Sequence, residues 1–95
     1  MVKKSSRAGK RRVVFALAGE PGHDIHVSGS FNDWNPAKKK MKDKKGDGVY
    51  TAICMLAPGK HQYKFIVDGI WVNDMENACI IPDGHGGLNN VIEVE

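Results

Sequence analysis

A chain of 95 residues can hold one domain with one modest core and is too short for a typical two-domain enzyme. Its 41% hydrophobic and 26% charged residues are ordinary for a globular protein, but 11 glycines and 4 prolines imply many turns, which points to a small all-β domain. The net charge of +3 conceals two basic runs, Lys3 to Arg12 and Lys38 to Lys45; neither carries the interleaved aromatics of a single-strand platform, so no nucleic-acid partner is expected.

Residues 1 to 10 combine Lys, Ser, Arg and Gly with little apolar content, which predicts a disordered basic N-terminal tail and a folded module over 11 to 95. The apolar segment that follows, Val13 to Ala18, is far too short to span a bilayer. It alternates like a strand instead of forming the continuous core of an export signal. A cytoplasmic protein with no membrane partner is expected. Strands are predicted at about 12 to 18, 24 to 28, 48 to 56, 61 to 67, 70 to 73 and 88 to 94, with no convincing helical period anywhere. Turn residues separate them: Gly19 to Gly22, Gly46 to Gly48, Pro58-Gly59 and Asp68-Gly69. Within 48 to 56, Tyr50, Ala52, Cys54 and Leu56 share one face and Val49, Thr51, Ile53 and Met55 the other. Both faces are rather apolar, which suits a sandwich. Cys54 and Cys79 are expected to be free thiols.

Two stretches carry the functional signal. After the strand at 24 to 28 the chain reads "SGSFNDWNP", a run of small, polar and turn-forming residues around Trp34 that predicts a surface loop holding the indole off the core. Asp68-Gly69 is a favoured type I′ hairpin loop, and counting outward from it sets Val67 opposite Ile70, Ile66 opposite Trp71, Phe65 opposite Val72 and Lys64 opposite Asn73. Phe65, Val67, Ile70 and Val72 then form one face, and Lys64, Ile66, Trp71 and Asn73 the other. A tryptophan edged by lysine and asparagine suits a sugar ring, which offers C–H groups to an aromatic plane and hydroxyls at its rim. Packing of Trp71 against a second sheet or a crossing loop is the competing reading.

Catalysis is not expected. Of the carboxylates Asp68, Asp74, Glu76 and Asp83, Asp68 is explained by its turn, and glycoside hydrolysis needs two carboxyl groups facing each other across a cleft for which a domain this small has little room. His23, His26, His61 and His85 show no ligand spacing, so no metal or cofactor is expected. The glycine-rich stretch Asp83 to Gly87 lacks the end of a phosphate loop and reads as a mobile loop, and no nucleophile elbow surrounds Ser28 or Ser30.

The blocks "VSGSFNDWNP", "GVYTAICMLAPGKHQYKFIVDGIWVND" and "GGLNNVIEV", in this order, closely resemble the family 48 carbohydrate-binding modules over about residues 12 to 94. That family includes the glycogen-binding domain of the kinase β-subunit and the N-terminal domains of isoamylases and branching enzymes. The resemblance implies an immunoglobulin-like β-sandwich that binds α-1,4-linked glucans such as glycogen, starch and maltooligosaccharides without catalysis. It assigns sugar contacts to Trp34, Lys64, Trp71 and Asn89. His85 and Gly87 stand where the family has a leucine and a threonine, and with Asn73 they complete the candidate carbohydrate-binding residues. The alternatives are a protein-interaction or regulatory module with a protein partner, or an accessory domain of a glucan-processing enzyme.

Overall fold

The structure, a computed structural model, describes residues 9 to 95, so all but the last two positions of the expected tail lie outside the described residues. Eight strands follow in order: β1 Arg11–Ala18, β2 Ile25–Gly29, β3 Lys40–Met41, β4 Val49–Leu56, β5 Gly59–Val67, β6 Ile70–Val72, β7 Ile80–Pro82 and β8 Leu88–Val94. Among the described residues there is no α-helix, and no helix is long and apolar enough to cross a membrane. Strand β1 pairs antiparallel with β4, while the second sheet has the order β3-β2-β5-β8-β7, with β6 paired to β5 beyond the end of β8.

The two sheets close on one core, and alternation explains which residues fill it. Phe15 of β1 and Tyr50, Ala52 and Leu56 of β4 point inward toward Ile25 and Val27 of β2, Tyr63 and Phe65 of β5, and Val94 of β8. An aromatic pair joins the layers, with Tyr63 of β5 meeting Phe15 of β1 edge-on at 4.9 Å, and within β5 Tyr63 also meets Phe65 at 5.7 Å. The result is the immunoglobulin-like β-sandwich that the sequence predicts. The other face of β4, expected to be apolar, is open to solvent at Val49, Ile53 and Met55.

The hairpin register is as counted: Val67 pairs with Ile70, Ile66 with Trp71 and Phe65 with Val72, across a turn whose Asp68 and Gly69 have φ of 50° and 84°. The fourth expected pair does not form, because β6 ends at Val72 and Asn73 is drawn away. Ile70, expected on the apolar inner face, is 66% exposed because that face runs past the end of the core. Pro58-Gly59 also differs from a simple hairpin turn. The chain does reverse there, but it passes from β4 in one sheet to β5 in the other. Strands β3 and β7 are additional to the predicted set; they have two and three residues, too few for any period to show. Cys54 is half-buried and Cys79 exposed, both as free thiols, and burial pushes the Cys54 thiol pKa up.

Candidate functional site

The loop after β2 is built on Asn32. Its buried side chain accepts from the Gly29 N–H at 3.0 Å and donates to the Val27 carbonyl at 3.3 Å, while the Gly29 carbonyl accepts from Trp34 N–H at 3.0 Å. Gly29 is required there, since a Cβ would overlap the Gln62 carbonyl oxygen and come within 2.6 Å of the Phe31 ring. Phe31 turns inward and stacks on Phe15 with centroids 5.5 Å apart. Asp33 and Trp34 then take φ of 59° and 56°. For a bulky L-residue this left-handed conformation costs roughly 1–2 kcal/mol. The fold sustains that cost through the loop's hydrogen bonds, and the outcome is an indole carried over the outer face of the large sheet.

There Trp34 meets Trp71, with ring centroids 6.4 Å apart and planes inclined at 46°. Trp71 stays 43% exposed, so it is no core residue, and the reading in which it packs against a second sheet falls. The two indoles, Lys64, Asp83, His85 and Asn89 line an open hollow of about 280 Å³. Lys64 and Asn89 come from the facing strands β5 and β8. Asn89 donates to Gln62 Oε1 at 2.9 Å, and the Lys64 ammonium donates to Asp83 Oδ2 at 3.2 Å.

Asp83, absent from the expected sugar contacts, is the component that joins the 83 to 87 loop to Lys64. Its Oδ1 accepts the His85 N–H at 2.7 Å and the Gly87 N–H at 3.0 Å, so one carboxylate folds the 83 to 87 loop and also holds Lys64. Those two N–H groups, and after them the Lys64 ammonium, keep the Asp83 carboxyl below its ordinary pKa. The local half of this role was legible as an Asp-Gly turn signal; the pairing with Lys64, distant in sequence, was not. Gly87 stands under the same pair. A Cβ there would lie 2.6 Å from Asp83 Oδ2 and 3.5 Å from Lys64 Nζ, so a side chain at this position would require the Asp83 carboxylate to shift. His85 lines the hollow from an exposed position.

Asn73 is not brought to this hollow. Its side chain donates to the Leu88 carbonyl at 2.9 Å and to Asn90 Oδ1 at 3.1 Å. It belongs to a network centred on Asn90, which is fully buried and also bonds the Asp74 N–H and the Asp74 and Asn77 carbonyls. Tyr63 hydroxyl joins by donating to Asp74 Oδ2 at 2.7 Å, and burial raises its pKa. The adjacent asparagines of β8 thus divide two tasks by strand alternation: Asn89 faces the hollow and Asn90 pins the segment between β6 and β7.

The family model described as the glycogen recognition site of AMP-activated protein kinase matches residues 12 to 95. The rat 5'-AMP-activated protein kinase subunit beta-1 is 36% identical over 94 residues, covering 99% of this chain and 33% of the relative. The pig subunit beta-1 sequence is 35% identical over 94 residues and is covered over 72% of its length. Mouse subunit beta-2 is 40% identical over 76 residues, 80% of this chain and 27% of the relative. The chain spans about a third of the rat subunit. From the matched model and the matched relatives together, this chain belongs to the family of glycogen recognition sites of AMP-activated protein kinase, carbohydrate-binding modules of the family 48 type.

Proposed function

We propose that this domain binds α-1,4-linked glucans without catalysis, stacking glucosyl units on Trp34 and Trp71 and fixing their hydroxyls through Lys64 and Asn89. One observation carries the reading: two indoles inclined at 46° form a concave apolar cradle above polar side chains on a solvent-open face. A flat pair would suit a planar ligand, whereas an inclined pair suits a curving chain whose rings present C–H faces at successive angles. Lys64 keeps donor capacity beyond its one bond to Asp83, and Asn89 keeps acceptor capacity beyond its bond to Gln62. His85 and Gly87 shape the rim; an imidazole and a bare backbone there replace the aliphatic contact the family resemblance implies.

Titration with β-cyclodextrin, followed by heat and by tryptophan fluorescence, tests the proposal. Binding with a change in indole emission is expected, and Trp34→Ala or Trp71→Ala should each weaken it by about 1–3 kcal/mol, roughly 5- to 150-fold. Absence of both heat and emission change at millimolar ligand overturns it.

A second reading, a protein contact, draws on a different surface. Val14, Val49, Ile53 and Met55 are exposed together on the outer face of the small sheet, and the relatives are named as subunits of a kinase. Another subunit of such a complex is the proposed occupant. Association that persists in excess β-cyclodextrin and is lost on Ile53→Asp supports it; association unaffected by Ile53→Asp overturns it.

A further inference from the structure

The outer face of the large sheet continues beyond the tryptophan pair. Because Tyr63, Phe65 and Val94 point into the core, alternation sets Lys60, Gln62 and Lys64 of β5 on this outer face with Asn89, Val91 and Glu93 of β8. The register puts Gln62 opposite Val91 and Lys60 opposite Glu93. These residues, with Cys79 and Ile81 at the β7 edge, line a second open hollow of about 480 Å³, against about 280 Å³ for the first. The two hollows meet at one hydrogen bond. Asn89 lines the first, Gln62 lines the second, and Asn89 Nδ2 donates to Gln62 Oε1 at 2.9 Å.

We propose that the second hollow is a further glucan subsite, occupied by the units of a linear chain that runs on past Asn89. The inference rests on the tryptophan hollow being a glucan site. From Lys64 to Lys60 the strand advances about 13 Å, so the added surface extends the first site along one direction of the sheet. Val91 and Ile81 present aliphatic surface to sugar C–H groups, and Gln62, Lys60 and Glu93 supply both donors and acceptors for hydroxyls. Lys60 and Glu93 carry opposite charges across the strand pair, and neither is engaged in an ion pair among the described residues. The local charge therefore sums to zero while both heads stay free, a combination that fits an uncharged, hydroxyl-rich chain better than a phosphorylated or acidic one.

Two ligands separate the subsites. β-Cyclodextrin is a closed ring confined to the indoles, whereas linear maltodecaose can follow the sheet. In calorimetric titration, Lys60→Ala combined with Glu93→Ala, and separately Ile81→Arg, should each lower maltodecaose affinity about tenfold while β-cyclodextrin affinity stays unchanged. The retained cyclodextrin binding reports that each variant is folded. Unchanged maltodecaose affinity in both variants overturns the second subsite and leaves the tryptophan site standing. If the unmodified domain binds neither ligand, both the site and its extension fall.

Discussion

Truncating Asn90 to alanine should unfold this domain at a much lower temperature, although the residue next to it in sequence touches the candidate ligand face. The Asn90 side chain is fully buried and makes four hydrogen bonds: from Asp74 N–H at 2.7 Å and Asn73 Nδ2 at 3.1 Å, and to the carbonyls of Asp74 and Asn77 at 3.0 Å each. Alanine leaves three backbone groups without their partner. At about 1 kcal/mol for each bond, and with water able to reach the outer parts of the loop, the loss comes to about 2–4 kcal/mol. For a domain of this size each kcal/mol lowers the melting temperature by about 4–8 °C, so a fall of about 10–25 °C is expected. Asn89→Ala removes only one side-chain bond, to Gln62, and should cost about 1 kcal/mol of stability or less while weakening β-cyclodextrin binding. Circular-dichroism melts of both variants, with titrations run below their transitions, read the two effects separately. A melting temperature for Asn90→Ala within about 3 °C of the parent would rule out a structural role for this side chain, since a fully buried amide with four partners cannot be lost at so small a cost.

Three further outcomes follow from individual contacts. Gly29→Ala should fail to fold or melt far below the parent, because its Cβ would overlap the Gln62 carbonyl oxygen and the Phe31 ring; a normal melt and normal binding would contradict the close approach drawn here. Asp83 is held below its ordinary pKa by the His85 and Gly87 N–H groups and Lys64. Its contribution to stability is thus complete above the unfolded carboxyl pKa of about 4 and lost as pH falls through the lower folded value. Melting temperature measured from pH 6 to 2 should therefore decline less steeply in Asp83→Asn than in the parent, and equal slopes would remove the carboxylate from this role. Gly87→Thr should push into the Lys64–Asp83 pair and weaken β-cyclodextrin binding, whereas unchanged or tighter binding would show that the loop yields without cost.

How much of this was legible in the chain varies by element. Asp68-Gly69 is a local signal whose turn geometry dictates register, so it sets Lys64 and Trp71 on one face without any tertiary contact. The small and polar residues around Trp34 announced a loop, and the matched motifs named Asn89. Strands β3 and β7 escaped because two or three residues carry no periodicity and are strands only by pairing with β2 and β8. Extending the hairpin by one more pair would put Asn73 beside Lys64, but β6 ends at Val72. The pull of Asn90 and the Leu88 carbonyl, both distant in sequence, ends that ladder.

The all-β class, the Asp68-Gly69 hairpin, the side-chain alternation along its strands and the loop that carries Trp34 are written in the chain. These follow from interactions within a few residues, where the period of two and the φ preferences of turn residues act. Packing of the whole chain brings Trp34 to Trp71, Asp83 over Lys64, and Asn89 against Gln62 at the border of a second hollow. Each of these joins residues far apart along the chain, and their distance is set by how two sheets pack on a shared core, which no local pattern encodes.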